Sequence, residues 1–219
     1  MLVSGILPTR ARAEYAAQAI EFFLWQNYPE KELIVLDDAE KPSFSDGVNH
    51  PLVRYRRSGH LNIPAKRNLC CRLAAGDIVL HFDDDDYSEP ERMADQVRRL
   101  FECSVTGYSV MPLFDEASRL WFSHSTGMEY CFGTSLAYRR SWWERHPFDE
   151  AKRTAEDNVF CEAAIAEGVA QFVRPDRPLM AARIHAGNTS PKDAHGFHRI
   201  PEPQSEALRQ WAYLTALAR

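Results

Sequence analysis

Residues 78–90, IVLHFDDDDYSEP, decide the fold of this chain. The first five form an apolar run with the length of a buried strand, and four consecutive aspartates at 83–86 follow directly. Pro90 suits the first turn of a helix, which the apolar periodicity predicts over residues 89–101. A buried strand that leads through polar residues into a helix is typical of parallel α/β sheets, where ligands bind beyond the carboxyl ends of the strands.

The residues before this stretch repeat the same alternation. Apolar runs predict strands over residues 2–7, 33–36 and 52–55, and helical spacing predicts helices over residues 14–26 and 64–73. The first two strands also end in polar pairs, Pro8-Thr9 and Asp37-Asp38. Because the carboxyl ends of parallel strands share one edge of a sheet, we expect these pairs to meet the aspartate cluster (residues 83–86) there.

The second half of the chain is less regular. It contains predicted strands and helices of uneven spacing: strands over residues 105–111, 120–123, 132–138, 172–173 and 179–184, and helices over residues 141–145, 156–167 and 206–217. The fold class is therefore α/β, with a mostly parallel central sheet flanked by helices. We predict a single domain with a first half over about residues 1–103, a second half over about 104–200, and a C-terminal helix and tail over 201–219.

Composition excludes several classes of protein. The 219 residues are 45% hydrophobic, which excludes a disordered or low-complexity chain. The net charge of -5 gives no support to a general nucleic-acid binder, although a local basic stretch runs from Arg54 to Arg67. No apolar run approaches the roughly 18 residues of a membrane span. The five cysteines form no CxxC pair, so we expect free thiols and a cytoplasmic protein, with binding to an anionic membrane surface left open.

The aspartate cluster is the strongest chemical signal. Four adjacent carboxylates repel one another, and hard oxygen ligands at this density suit Mg²⁺ or Mn²⁺. The spaced ligand pattern of a calcium loop is missing. A cation held by one or two carboxylates, with phosphates in its other positions, fits best. The alternative is a solvated loop or a helix N-cap, where aspartate is also favoured.

At this point the sequence resembles glycosyltransferase family 2, whose members have the GT-A fold. The resemblance depends on motifs in the right order across about residues 2–168: VSGILPTRAR (3–12), LIVLDD (33–38), AKRN (65–68), FDDDDYSEP (82–90), CFGTSLAYRRSWW (131–143) and Glu156-Asp157. Each motif alone is weak, but the ordered set is specific. Two departures lie near the expected nucleotide pocket, since Thr9 is followed by Arg10-Ala11 and Asp38 by Ala39-Glu40.

The resemblance implies an inverting transfer of a sugar from a nucleoside-diphosphate sugar, with a UDP-sugar favoured, to an acceptor hydroxyl. It implies nucleotide-sugar contacts by residues on four of the motifs: Pro8, Thr9, Arg12, Asp37, Asp38, Lys66, Arg67, Asp83 and Asp84. It implies that Asp85, with Asp83 and His185, holds a divalent Mn²⁺ or Mg²⁺. Asp157 would be the general base and Glu156 its support. Four aspartates instead of three leave the ligand register open by one residue.

Other interpretations of the same residues remain. Glu156-Asp157 also fits an acidic helix N-terminus with Thr154 as its cap, and His185 also fits an ordinary hydrogen-bonding histidine. A nucleotidyltransferase would need a Lys- or Gly-rich phosphate loop after the first strand, which Pro8-Thr9-Arg10 is not. A non-catalytic nucleotide-sugar or glycan-binding module would make both acidic motifs incidental. The acceptor is a glycan, a glycolipid or another hydroxyl, with a hydroxylated base of modified viral DNA as a further alternative. Residues 188–198 are predicted to form a loop that closes over the donor.

Overall fold

A computed structural model describes residues 1–127, 129–152, 154–188 and 197–214. Twelve strands and six α-helices, with one short 3₁₀ helix at Gly133–Ser135, lie in these residues. The strands are β1 (Val3–Thr9), β2 (Lys31–Asp37), β3 (Val53–Arg57), β4 (Ile78–His81), β5 (Tyr87–Ser88), β6 (Val105–Tyr108), β7 (Val110–Asp115), β8 (Leu120–Ser125), β9 (Ala137–Arg139), β10 (Ala170–Val173), β11 (Met180–Ile184) and β12 (His198–Arg199). The helices are α1 (Ala13–Trp25), α2 (Ile63–Leu73), α3 (Arg92–Arg99), α4 (Arg140–Arg145), α5 (Glu156–Ala166) and α6 (Glu206–Leu214).

The central sheet has seven strands in the order β10-β6-β9-β4-β1-β2-β3. The pairs β1–β2, β1–β4, β2–β3 and β6–β10 are parallel, and only β9 runs against its neighbours among the described strands. This confirms the predicted α/β class with a mostly parallel sheet. The chain moves outward from β1 to β3 and then returns to place β4 on the other side of β1. The point between β1 and β4 is therefore the topological switch, where sheets of this type bind ligands.

Helices cover both faces of this sheet. Alternate residues of β2 point to opposite faces, so Leu33 and Val35 pack toward α1 and α3, while Ile34 and Leu36 pack toward α2 and α5. All four side chains are fully buried. Burial on both faces explains why these strands are continuous apolar runs rather than alternating ones.

A second sheet of five strands has the order β12-β8-β7-β11-β5. It packs against α1 and α6 through a cluster that includes Phe22, Tyr87 and Trp211. The short strand β5 pairs with β11, and this pairing joins the end of the aspartate cluster to the second sheet. Among the described residues, no helix combines the length and the apolar character that a membrane span requires.

Three details of the predicted elements were wrong. Residues 105–111 form two strands in different sheets, because the backbone leaves the central sheet at Ser109. The Ser109 N–H donates to the carbonyl of Val173, and the Ser109 carbonyl accepts from the N–H of Thr126. Residues 132–138 are the 3₁₀ helix followed by β9, because Gly133 and Thr134 turn toward the cavity described below. The two-residue strands β5 and β12 were not predicted, since segments this short have no periodicity. Most of the predicted closing loop at residues 188–198, and the tail at 215–219, lie outside the described residues.

Candidate active site

A cavity of about 840 Å³ opens at the switch point between β1 and β4. Six segments contribute to it: the turn after β1, the start of α2, the aspartate cluster after β4, the 3₁₀ helix, the start of α5, and β11 with the residues after it. Most of the residues that the sequence predicted for the site line it, namely Pro8, Thr9, Arg12, Lys66, Arg67, Asp83, Asp84, Asp85, Glu156 and Asp157. The cavity thus brings together the aspartate cluster after β4 and Glu156-Asp157 at the start of α5.

The aspartate cluster is held by the turn after β1. Thr9 Oγ1 donates to Asp84 Oδ2 at 2.7 Å, and Arg12 Nη1 donates to Asp84 Oδ1 at 3.0 Å and to Asp85 Oδ2 at 3.1 Å. Asp84 is almost fully buried, and Arg12 and Asp85 are partly buried. Burial and the neighbouring charge of Asp85 raise the pKa of Asp84 to about 6, against the opposing effect of Arg12. The cluster therefore lies in a strongly anionic, poorly solvated environment.

Asp85 also meets the end of β11. Its Oδ2 lies 2.9 Å from His185 Nε2 and accepts a hydrogen bond from Asn188 Nδ2 at 3.3 Å. The 2.9 Å separation is that of a direct hydrogen bond between Asp85 and His185. Asp85 supplies a carboxylate oxygen, the type of ligand that Mg²⁺ and Mn²⁺ prefer, and His185 lies beside it. In the part of the chain that the structure describes, no three His, Cys, Asp or Glu side chains form a complete metal site.

Arg67 links the aspartate cluster to the start of α5. Its guanidinium lies 3.6 Å from Asp83 Oδ1 and forms a close ion pair with Glu156. Both Arg67 and Glu156 are more than nine-tenths buried as side chains. Burial raises the pKa of Glu156, and the charge of Arg67 opposes that increase. Glu156 is thus committed to a buried ion pair.

Asp157 occupies a different position from its neighbour. It is partly exposed and lines the cavity, and its carboxylate lies against Gly133. A Cβ at Gly133 would overlap Asp157 Oδ2 and lie 2.9 Å from its Cγ. The Gly133 carbonyl accepts a 2.8 Å hydrogen bond from His81 Nδ1, at the end of β4. The strand that carries the aspartate cluster therefore also positions the surface beneath Asp157.

The Asp37-Asp38 pair divides into two roles. Asp38 Oδ1 accepts from Lys66 Nζ at 2.6 Å, and Oδ2 accepts from the backbone N–H of Leu61 at 3.0 Å. His60 Nδ1 lies 3.0 Å from the same Oδ2. Lys66 and His60 line the cavity, so Asp38 lies just behind its wall.

Asp37 points away from the cavity. Its carboxylate accepts hydrogen bonds from Tyr55 Oη at 2.6 Å and from the backbone N–H groups of Ala39 and Ser43. Burial alone would raise its pKa, but these donors lower it. Neither Asp37, Asp38 nor His185 is among the described residues that line the cavity. Asp37 stabilises the loop after β2, and its contact with a nucleotide stays a prediction.

Several site residues were missed by sequence reasoning. Asn188 contacts Asp85, and Arg10 contacts the ring of His60 at the mouth of the cavity. Arg183 is fully buried, and its guanidinium donates to the Asp85 carbonyl at 3.1 Å and to Glu116 Oε1 at 2.8 Å. The only sequence signal for Asn188 was its position three residues after His185. Arg183 carried none, because a basic residue in a predicted strand is usually exposed.

Several solved structures share this architecture. TarS 1–349 of Staphylococcus aureus superposes with a TM-score of 0.66 at 19% identity, over 84% of this chain and 60% of that one. Its complex with UDP-GlcNAc gives a TM-score of 0.65 at 18% identity, over 86% of this chain and 60% of that one. The mannosyltransferase PcManGT of Pyrobaculum calidifontis, in complex with GDP-Man and Mn²⁺, gives 0.62 at 20% identity, over 87% and 57% of the two chains. The fold is accordingly of the GT-A type.

The family follows from the sequence comparison. The model of glycosyl transferase family 2 matches residues 4–169, which include both acidic motifs. The chain belongs to this family. WcaA of Escherichia coli (strain K12), described as a putative colanic acid biosynthesis glycosyl transferase, is 30% identical over 99 residues, or 42% of this chain and 36% of that protein. The chain thus spans only part of the length of the relatives that it matches.

Proposed function

We propose that this glycosyltransferase moves a sugar from a nucleoside-diphosphate sugar to an acceptor hydroxyl with inversion, using a divalent cation and Asp157 as the general base. One observation carries the proposal. The aspartate cluster and the Asp157 carboxylate line the same cavity at the switch point of the sheet, joined through Arg67 and Glu156. A single-displacement transfer needs an acid-rich diphosphate site and a separate carboxylate base in this relation.

The donor is proposed to lie between the turn after β1 and the start of α2. Pro8, Thr9 and Lys66 line that part of the cavity, with Asp38 held behind Lys66. We favour a UDP-sugar, as the resemblance implies. The solved structures that share the fold include complexes with UDP-GlcNAc and with GDP-Man, so the base is to be tested with both.

The metal is proposed to be held by Asp85 and His185, with Asp83 or the donor phosphates completing its ligands. When bound, the cation supplies Lewis-acid neutralisation of the departing diphosphate. Thr9 and Arg12 orient the aspartates by the hydrogen bonds already described, and such support by neighbouring groups is the usual condition for a defined metal site. Gly187 N–H donates to His185 Nδ1 at 3.1 Å, which places the ring proton on Nε2, facing Asp85. To hold a cation through Nε2, His185 would have to give up this hydrogen bond and move its proton to Nδ1.

Asp157 is proposed to take the proton of the attacking hydroxyl. Glu156 is neutralised by Arg67, so the two adjacent acids are not equivalent. Asp157 Oδ1 accepts from the Asn158 backbone N–H at 3.0 Å, which leaves Oδ2 over Gly133 to face the acceptor. The carboxylate that is exposed to the cavity, and not the one in the ion pair, is the candidate base.

The remaining assignments stay predictions. We propose that residues 1–103 bind the donor and that residues 104–200 contribute the acceptor side, where Phe132 and Thr154 line the cavity. The cytoplasmic location stays a prediction. The acceptor class, which is a glycan, a glycolipid or a hydroxylated base, is to be tested with candidate acceptors. Neither a nucleotidyltransferase nor a purely binding module is favoured by a specific feature of the cavity.

The base assignment is tested by Asp157→Asn. Loss of general-base catalysis should lower turnover by about 10²–10⁴-fold. Because Asp157 is proposed to act on the acceptor, the Kd for the donor with Mn²⁺, measured by titration calorimetry, should stay within about twofold of the wild-type value.

Two variants control this experiment. Glu162→Gln removes the same charge from an exposed position of α5, so it should leave turnover unchanged. Glu156→Gln tests the neighbour. If Glu156→Gln lowered turnover by about 10²–10⁴-fold while Asp157→Asn kept the wild-type turnover, Glu156 and not Asp157 would be the base.

A further inference from the structure

Arg12 is placed where its charge does not help the helix that it precedes. It occupies the N-cap position of α1, but its side chain makes no capping hydrogen bond. A cation beside a helix N-terminus is unfavourable, because the helix dipole is positive there. The preceding Ala11 adopts a left-handed conformation with φ of 53°, which is uncommon for a residue other than glycine. The charge of Arg12 at the helix N-terminus and the backbone conformation of Ala11 are thus both locally unfavourable, and the guanidinium of Arg12 nevertheless lines the cavity.

The guanidinium of Arg12 bridges three segments. Nη1 donates to Asp84 at 3.0 Å and to Asp85 at 3.1 Å, and Nη2 donates to the carbonyl of Gly187 beyond β11. Its side chain is about one-quarter exposed and lines the cavity. Arg10, two residues earlier, is exposed and contacts only His60 among the described hydrogen-bond partners. Of these two arginines, Arg12 is the one that offsets the repulsion within the aspartate cluster.

Arg12 shares an oxygen atom with the proposed metal ligand. Asp85 Oδ2 faces Arg12 Nη1 at 3.1 Å, His185 Nε2 at 2.9 Å and Asn188 Nδ2 at 3.3 Å. A carboxylate oxygen has about two lone-pair directions. An ion bound through this oxygen would meet an atom that already has three neighbours, and it would repel the positively charged Arg12. Arg12 and a divalent cation compete for the same carboxylate.

A donor diphosphate would offer Arg12 another partner in the same cavity. Guanidinium groups bind phosphate oxygens through paired, charge-assisted hydrogen bonds. We propose that Arg12 is the internal counter-ion of Asp84 and Asp85, and that it keeps their affinity for a divalent cation low until a diphosphate draws it away. This inference rests on the proposed function and adds an order to it: cation and donor bind tightly only together.

The test is the binding of Mn²⁺ alone, measured by electron paramagnetic resonance on the full chain. Arg12→Gln should bind Mn²⁺ more tightly than the wild type, by at least about fivefold, the lower end of usual coupling factors between linked sites. With a saturating nucleoside diphosphate, UDP or GDP, the wild type should gain more Mn²⁺ affinity than Arg12→Gln does. Arg12→Lys, which keeps the charge, should stay close to the wild type in nucleotide-free affinity.

Arg56→Gln is the matched control, because it removes one exposed arginine, on β3, that is not among the residues lining the cavity. It should leave the affinity for Mn²⁺ alone within about twofold of the wild-type value. Unchanged or weaker Mn²⁺ binding by a folded Arg12→Gln, with folding checked by circular dichroism, would overturn the inference. If Arg12→Gln does not fold, Arg12→Met is measured against the same criterion. A wild-type chain that binds neither nucleotide with Mn²⁺ would instead contradict the proposed function.

Discussion

At the scale of single residues, the carboxylate of Asp157 lies against Gly133 in the wall of the cavity. The carboxylate of Asp157 occupies the space that any larger residue at position 133 would need. The glycine is required by this side-chain approach and not by an unusual backbone, since Gly133 is not among the residues with positive φ. The position of the proposed base thus depends on a residue 24 positions earlier in the chain.

Gly133→Ala should therefore lower kcat without loss of donor binding. The added methyl group must displace Asp157, and a displacement of about 1 Å at a reacting group costs about 10²-fold in rate. Turnover assays and donor titrations on the same preparation measure both quantities. Gly59→Ala is the control, because a Cβ there meets nothing within 4 Å. A wild-type kcat in the Gly133→Ala variant would show that Asp157 is not the base or that its position is not critical.

Two neighbouring aspartates show how far residue type alone can predict a role. Asp37 and Asp38 have the same chemistry and follow the same strand, and sequence reasoning assigned both to the nucleotide. Asp37 is the last residue of β2 and Asp38 lies just beyond it, and their side chains meet different elements. Asp38 meets Lys66 at the cavity wall, while Asp37 meets Tyr55 and the loop after β2.

At the scale of elements, the C-terminal helix α6 is tied to the aspartate cluster through one buried arginine. The indole ring of Trp211 lies 4.5 Å from the guanidinium of Arg183 and packs near Tyr87. Arg183 in turn donates to the carbonyl of Asp85, and its backbone N–H donates to Asp86 Oδ1 at 3.0 Å. Helix α6 therefore stabilises the second sheet and also the backbone of the proposed metal segment.

Trp211→Ala should destabilise the protein strongly. Removal of a fully buried large aromatic side chain costs about 3–5 kcal/mol, and each kcal/mol lowers the melting temperature by about 2–4 °C in a chain of this size. We expect a decrease of about 6–20 °C by differential scanning calorimetry. Trp25→Ala is the matched control, because Trp25 is 56% exposed at the end of α1 and should change the midpoint by about 2 °C at most. Equal decreases for the two variants would contradict a bracing role for α6.

At the scale of the whole molecule, the two sheets meet around the cavity. The central sheet contributes Thr9 and the aspartate cluster through β1 and β4, and the second sheet contributes His185 and Arg183 through β11. Parallel strands bring the first group together, and the pairing of β5 with β11 brings the second group to it. A ligand bound here contacts both sheets, so binding should be coupled to global stability.

Nucleotide and metal together should therefore raise the thermal midpoint of the wild-type chain. A ligand at 100 times its Kd stabilises the folded state by about 2.7 kcal/mol, which corresponds to about 5–10 °C for this size of protein. UDP or GDP with Mn²⁺ should give this increase, each component alone should give much less, and EDTA should reverse it. An equal increase with nucleotide alone would show that the cation has no part in donor binding.

Most of the elements and their order follow from local sequence patterns. Apolar periodicity, Pro90 and the polar residues after each strand depend on near neighbours in the chain, so the α/β class and the mostly parallel sheet could be predicted from them. A shared site for the aspartate cluster and Glu156-Asp157 was implied only by the family resemblance. Resemblance to a known family added the expected role of each motif, and the family assignment is confirmed.

Only the tertiary structure decided which equivalent side chains act together. Arg12 meets Gly187 across 175 positions of sequence, and Arg67 meets Glu156 across 89. No local pattern records such pairs, because they depend on the order of strands in the sheet and on the face of each strand that a residue occupies. The division between Glu156 and Asp157, the orientation of Asp37 away from the cavity and the buried position of Arg183 follow from that three-dimensional arrangement.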